Sequence, residues 1–479
     1  MNAPITRLFV LVIVLFAVLV GATAWWSVFT QDDLEANAKN RRETLTQQRV
    51  RRGVIRAADG TVLARSEERT DKTYTRRYPA KGLFAHALGY SYARIGRSGL
   101  ELSRNDVLAG EREELTSVFD ELRGRQQEGD DLFTTLDIKA QKVALEGLAG
   151  RRGSVVAIEP ATGAVRVMAS NPGFDPAALR ARETFEALNR DKSSPLFNRA
   201  TQGGYVPGST MKVVTATAAI DSGRYTPQSQ VDGRNGKPVS GVPLNNFGKA
   251  SFGPTDLTTA LTKSVNTVWA EVAEKVGKST MERYMKRFGF YDEPPIDLPG
   301  FQVLPSGVYR GSPSKLVSPT SETVDVGRMG IGQEKLRVTP LQMAMVAAAV
   351  GNNGTLMQPH IMARAVDRDG RTTEKIDPVE QADVMKPSTA RQVGEMMTKV
   401  VNEGSGTAAA LAGIDVAGKT GTAEKNVAQR LNQPWFIAFA PTRDPKVAIA
   451  VTIESSIGGT GGEIAAPIAK RVMQSLLDG

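Results

Sequence analysis

The chain of 479 residues contains no cysteine. Disulfides, thiolate nucleophiles, iron–sulfur clusters and cysteine-held zinc are thereby excluded. Histidine is almost absent as well: His86 and His360 are the only two. Neither stands in a catalytic or metal-binding setting, so both read as structural or solvated. A Ser-His-Asp hydrolase would have to use one of them. No repeat of fixed period is present. The glycine-rich stretch SSIGGTGGE, residues 455–463, lacks the Gly-Lys-Ser/Thr ending of a phosphate loop and reads as a mobile loop near the functional site.

Hydrophobic residues make up 41% and charged residues 23% of the chain, enough for an ordinary globular core. The length suits roughly three domains, or two with one large. Lys and Arg number 60 against 51 Asp and Glu, a net of +9. That balance fits nucleic acid, an anionic membrane or an anionic polymer.

Leu8 to Phe29 carries no charge and contains the run LFVLVIVLFAVLV. About 20 helical residues cross the hydrocarbon, and Trp25 and Trp26 fall where an interfacial aromatic belt belongs. Ala22-Thr23-Ala24 could be a signal-peptide cleavage site, but apolar character continues to Phe29. An uncleaved single-pass anchor with a tail of residues 1–7 is expected. Flanking charge does not fix its orientation, since Arg7 faces Lys39, Arg41 and Arg42 across it. If the body is exported it meets no genomic DNA, and the basic balance points to anionic lipid or wall polymer.

Residues 30–50 read as a polar helical stalk. Asp59-Gly60 between short apolar runs signals a hairpin. GRQQEGDD, residues 124–131, reads as a boundary. TTLDIKAQKVALEGLAG suits a helix with a glycine stop, and GSVVAIEPATGAVRVMASNPG two strands around the Pro160–Gly163 turn. Thr210 to Ile220 suits a small-residue helix, and VTPLQMAMVAAAVGNNG a second buried one. PWFIAFAPT and KVAIAVTIESS read as strands, the latter half-alternating, with Trp435 in the core. AAPIAKRVMQSLLDG closes the chain as a helix. This distribution favours α+β, an antiparallel sheet covered by helices, over a doubly wound parallel sheet. Arg51, Arg52 and Arg56 read as a solvated face, or otherwise as a contact to lipid or wall polymer.

Ser209-Thr210-Met211-Lys212 is an S-x-x-K. Helical positions three apart share a face, so Lys212 can reach Ser209 directly. A serine nucleophile needs a base, and without an available histidine a lysine must serve. Keeping a lysine neutral near pH 7 costs roughly 4–5 kcal/mol, which burial and a second cation can meet. Ser264-Val265-Asn266 follows about 55 residues later. Lys419-Thr420-Gly421-Thr422 lies near the C-terminus and is the only K-[ST]-G. Two decoys exist: Ser312–Lys315, broken by Pro313, and Ser103-Arg104-Asn105. Each triplet alone is a common coincidence. The ordered set of three is not.

The set resembles the penicillin-binding proteins, serine acyl-transferases related to class A β-lactamases. RRGVIRAADGTVLA and HALGYSYARIGRSGLELSRNDVLAG are similar to the non-catalytic module of class B members, with Ala57-Ala58 replacing the usual Asp-Arg. FTTLDIKAQ, VPGSTMK, MGIGQEKLRVTPLQMA and AGKTGTAEK resemble the transpeptidase domain. Length and wording are similar to the actinobacterial penicillin-binding protein A kind. The resemblance implies a pedestal or dimerisation module over 30–128 and a transpeptidase domain over 129–479. It makes Ser209 the acylated nucleophile and Lys212 its base. Ser264 would relay the proton, Asn266 hold the peptide backbone, and Lys419 help keep Lys212 neutral. Thr420, Gly421 and Thr422 would line the donor-carboxylate site, with the N–H groups of Ser209 and Thr422 as oxyanion hole, and no metal or cofactor would be needed.

No glycosyltransferase motif and no C-terminal add-on follow the family's wider pattern, so a monofunctional D,D-transpeptidase is expected. Its ligands would be peptidoglycan stem peptides and β-lactams. Its partners would be membrane lipid through Leu8–Phe29 and a glycan polymerase of the shape-elongation-division type, with no nucleic acid. The alternatives are a D,D-carboxypeptidase, a β-lactam sensor or β-lactamase, and a silent scaffold of the wall-building complex.

Overall fold

The computed structural model describes residues 3–29, 48–110, 127–426, 429 and 431–478. The expected stalk lies almost wholly outside them. Helix α1 spans Ala3–Phe29. Its side chains are described only within residues 7–20 and are exposed there. Among the described residues no helix is long and apolar enough to cross a membrane.

Along the chain follow β1 (Ile55–Arg56), β2 (Val62–Glu68), β3 (Tyr74–Arg77) and β4 (Asp131–Thr134). Then come α2 (Ile138–Leu148), β5 (Gly153–Ile158), β6 (Val165–Asn171), α3 (Lys212–Asp221), α4 (Leu257–Thr262), α5 (Asn266–Val276) and α6 (Pro340–Gly351). The chain closes with β7 (Met362–Val366), β8 (Thr372–Lys375), α7 (Pro387–Glu403), β9 (Ala417–Asn426), β10 (Leu431–Ala440), β11 (Val447–Ile453) and α8 (Ala466–Leu477).

Two larger sheets organise the molecule. The central one runs β9-β10-β11-β5-β6 and is antiparallel throughout. The Pro160–Gly163 turn joins β5 to β6 as expected. Strands β5 and β11 are buried at every position, so β11 does not half-alternate. The sequence alternates in size instead of polarity. Ile449, Val451 and Ile453 pack with Val155, Ala140, Ala144 and Ile468 on the α2/α8 side. The small Ala448 and Ala450 face the other cluster with Leu341 and Met343 of α6. Methyl-sized residues there let a helix lie close against the strands.

Helix α6 starts where Thr339 caps the Gln342 N–H at 3.1 Å and Pro340 takes the first turn, a position where its missing N–H costs nothing. All of its residues are buried. Full burial of each Leu, Met or Val there contributes about 1.5–3 kcal/mol. Helix α2 begins at Asp137, which accepts from the Ala140 N–H at 2.8 Å. Ala149, with φ 46, already takes the left-handed position at its end, one residue before the expected glycine.

The second sheet runs β8-β7-β4-β1-β2-β3. The Asp59-Gly60 hairpin joins β1 to β2, with Gly60 at φ 84. Strand β4 lies parallel to β1 and antiparallel to β7. This sheet therefore interleaves residues 55–77 with 131–134 and 362–375.

Arg52 corrects the solvated-face reading of the arginines. It is buried, because Glu101 sits at its end. The Glu101 carboxylate meets Arg52 at 3.0 Å, Arg76 at 2.5 Å and the Tyr78 hydroxyl at 3.2 Å. Burial alone would raise the Glu101 pKa; the Arg76 and Arg52 charges and hydrogen bonds overcome it and hold the carboxyl below its usual value.

His86 donates Nε2–H to the Pro195 carbonyl at 2.8 Å, and burial pushes its pKa down to about 4, so it is a neutral packing residue. The 455–463 stretch has defined structure. Ser456–Ile457 pairs with β10, and Thr460 and Glu463 cap a helical turn over Gly461–Ala465.

Candidate active site

The S-x-x-K begins in a different helix from the one expected. Gly208 takes φ 53, and Gly208–Met211 form one 3-10 turn that runs into α3 at Lys212. The Thr210 hydroxyl donates to the Pro207 carbonyl at 2.8 Å and locks the turn. In a 3-10 turn positions three apart eclipse, which stacks Ser209 over Lys212. Ser209 is half-buried, and its hydroxyl has no hydrogen-bond partner among the described residues.

Lys212 hydrogen-bonds Ser264 and Asn266. Ser264 stands in the elbow between α4 and α5 at φ 57, a left-handed conformation costing roughly 1–2 kcal/mol for a residue with a Cβ. The elbow aims both its carbonyl and its hydroxyl at α3. Lys212 Nζ lies 2.9 Å from Ser264 O, 3.2 Å from Ser264 Oγ and 2.6 Å from Asn266 Oδ1. Asn266 Nδ2 donates to Asn245 O at 3.0 Å, which fixes the orientation of the amide.

The K-T-G lies on β9, an edge strand. Lys419 Nζ reaches Ser264 Oγ at 3.0 Å and its neighbour's carbonyl, Thr420 O, at 3.0 Å. A Cβ at Gly421 would stand 2.7 Å from Pro207 O, so only glycine lets β9 close on the nucleophile turn. Thr420 is buried and shares a 2.5 Å hydrogen bond with Ser405. Thr422 is half-buried and accepts from the Gly461 N–H at 3.2 Å.

Four further residues build the site; the sequence placed Gly461 in a loop near it and read Trp435 only as core. Trp435 pairs with Gly421 in register and donates its indole N–H to Val206 O at 2.9 Å, tying β10 to the chain just before Ser209. Gly332 accepts at its carbonyl from the Gly208 N–H at 3.0 Å. Ser405 and Gly461 position the two threonines.

Lys212 and Lys419 are both fully buried, and neither forms a salt bridge among the described residues. Burial, reinforced by the Lys419 charge, lowers the Lys212 pKa well below the usual amine value. Burial alone lowers Lys419 to about 7. A neutral Lys212 has two N–H groups, which suit the carbonyl of Ser264 and the amide oxygen of Asn266. Its lone pair is then left for a hydroxyl proton. The decoys stay apart: Ser312 lies in a turn and Lys315 on a strand, while Asn105 accepts from Arg52 at 2.7 Å. Among the described residues no three histidines or carboxylates converge on one point.

Residues 153–474 match the family model of the penicillin binding protein transpeptidase domain, and residues 52–132 that of the penicillin binding protein A dimerisation domain. The chain belongs to the penicillin-binding proteins. Like a class B penicillin-binding protein of the PbpA type, it joins a dimerisation module to a transpeptidase domain. It is 34% identical to the peptidoglycan D,D-transpeptidase PbpA of Mycolicibacterium smegmatis over 100% of this chain and 99% of that one. The ceftriaxone acyl-enzyme of penicillin-binding protein A from M. tuberculosis superimposes with a TM-score of 0.81 at 29% identity, covering 91% and 100% of the two chains. The D,D-transpeptidase domain from Eggerthella lenta gives 0.78 at 32% identity, covering 90% and 99%. The α+β fold read from the sequence is that of the family.

Proposed function

We propose that this penicillin-binding protein is a peptidoglycan D,D-transpeptidase that works through a Ser209 acyl-enzyme and is trapped by β-lactams. The carrying observation is the Lys212–Ser264–Lys419 chain: two buried amines flanking one hydroxyl at 3.2 and 3.0 Å. Relatives named as D,D-transpeptidases over the whole chain length support the same reading.

Ser209 Oγ attacks the carbonyl of the penultimate D-Ala while its proton passes to neutral Lys212. The tetrahedral oxyanion sits between the N–H groups of Ser209 and Thr422; one such donor is worth about 3–4 kcal/mol. The C–N bond then breaks, and Ser264 relays a proton from Lys212 to the departing D-Ala amine. An acceptor amine attacks the ester, gives a proton back along the same chain, and frees Ser209. Asn266 aligns the donor backbone, and the Thr420-Gly421-Thr422 strand with Lys419 receives its terminal carboxylate.

The uncharged run Leu8–Phe29 is the anchor of this reading, with residues 30–128 as pedestal and 129–479 outside the membrane. A glycan polymerase of the shape-elongation-division type is the partner that would supply strands.

The test incubates the full chain with a stem pentapeptide and an amine acceptor, and maps a fluorescent penicillin by peptide sequencing. Cross-linked product and label on Ser209 are expected. Label on another residue would sink the assignment of the nucleophile. Tetrapeptide and free D-Ala alone would make the protein a carboxypeptidase.

A further inference from the structure

A second cleft, of about 1010 Å³, opens between β2, β3, the Ser91–Arg97 hairpin and the Pro176–Arg180 turn. Its wall holds Arg52, Arg69, Arg76, Arg94, Arg97 and Arg180, and no carboxylate among the described residues. Glu101 lies behind the wall and is engaged by Arg52 and Arg76. Arg76 is only 4% exposed. Its Nε goes to Glu101 and its Nη1 to Gly53 O, while Nη2 has no partner among the described residues. Arg69, Arg94 and Arg180 are exposed, and none forms a salt bridge among the described residues.

Gathering guanidinium groups around one cavity raises their mutual repulsion, which an anion in the cavity relieves. Planar guanidinium forks match the paired oxygens of phosphate. Gln48 lines the same cleft, and only residues 30–47 separate it from the apolar run ending at Phe29. Even fully extended, that tether reaches at most about 65 Å, which limits how far the cleft can stand from a membrane surface. We propose that this arginine-lined cleft, between the N-terminal module and the Pro176–Arg180 turn, binds the phosphate headgroup of an anionic membrane lipid. The choice of lipid as the source rests on the anchor reading above.

The full chain is reconstituted into nanodiscs of neutral phosphatidylcholine or of phosphatidylcholine doped with phosphatidylglycerol. Amide hydrogen exchange is followed in peptides covering 66–76 and 91–97. A third arm adds soluble inorganic diphosphate to neutral discs. Phosphatidylglycerol should slow exchange in both peptides, about tenfold at a lipid level near 10 Kd. The combined variant Arg69→Gln, Arg94→Gln, Arg180→Gln should lose that slowing while its penicillin acylation rate is unchanged. Equal exchange in both discs, or slowing that survives in the variant, overturns the proposal. Slowing by diphosphate but not by phosphatidylglycerol overturns the lipid source. Failure of the chain to enter discs at all strikes the anchor reading instead.

Discussion

Lys419 Nζ lies 3.0 Å from the Ser264 hydroxyl oxygen, which is also 3.2 Å from Lys212 Nζ. One hydroxyl therefore bridges two buried amines. Two buried cations so close, without a carboxylate, would repel strongly in a medium of low polarity. Loss of one proton removes that repulsion, and in the proposed mechanism Lys212, whose amine is depressed both by burial and by the Lys419 charge, is the site that loses it. In the proposed mechanism Lys419 acts through its charge on Lys212.

Lys419→Gln tests that relationship. Removing the neighbouring charge raises the Lys212 pKa, so a higher pH is needed to free its amine. The acid limb of the penicillin acylation profile should move to higher pH, read from single-turnover rates between pH 5 and 9. An unmoved limb with a lower plateau would mean that Lys419 does not tune Lys212.

Lys212→Ala removes the proposed base and leaves Ser209 in its turn. Acylation should fall by roughly 10²–10⁴, the usual worth of a positioned general base. Time-resolved labelling with fluorescent penicillin measures it. The melting temperature should not fall, since a costly buried amine has gone.

Gly332→Ala acts at a distance from any reacting group. Gly332 sits at φ 80, and a Cβ there would collide with the Gly208 carbonyl. The nucleophile turn must shift, and a displacement near 1 Å can cost about 10²-fold in rate. Acylation should drop far more than stability does, as seen by comparing labelling rate with thermal unfolding.

Glu101→Gln leaves Arg52 and Arg76 buried without their anion. Breaking such a pair typically costs about 3–5 kcal/mol, read as a fall in the denaturant midpoint of the N-terminal module. The sign with pH follows from the lowered carboxyl. Its contribution is complete above the unfolded carboxylate value, about 4.3, and is lost as pH falls through the lower folded value. The wild-type protein should lose stability on acidification more steeply than the variant.

The sheet of β5, β10 and β11 was legible because buried strands write continuous apolar runs, and α6 because Thr339-Pro340 marks its start. The three chemical triplets were legible because they are local. What was hidden depends on remote partners or on backbone shape. Nothing around Ser264 announces a left-handed elbow. The need for glycine at 332 arises at Gly208, more than a hundred residues away. Arg52 looked solvated because its counterion, Glu101, comes 49 residues later. Alternation in β11 was misread because size, not polarity, distinguishes its two faces.

The interleaving of β7 and β8 with β4 and β1 has a practical consequence for anyone who would dissect the protein. A protease nick near residue 128 would sever the backbone yet leave the fragments clasped by the β4–β1 ladder. They should comigrate under native conditions and part only in denaturant. Expressing residues 129–479 alone would instead bare one flank of β4, a ready template for aggregation.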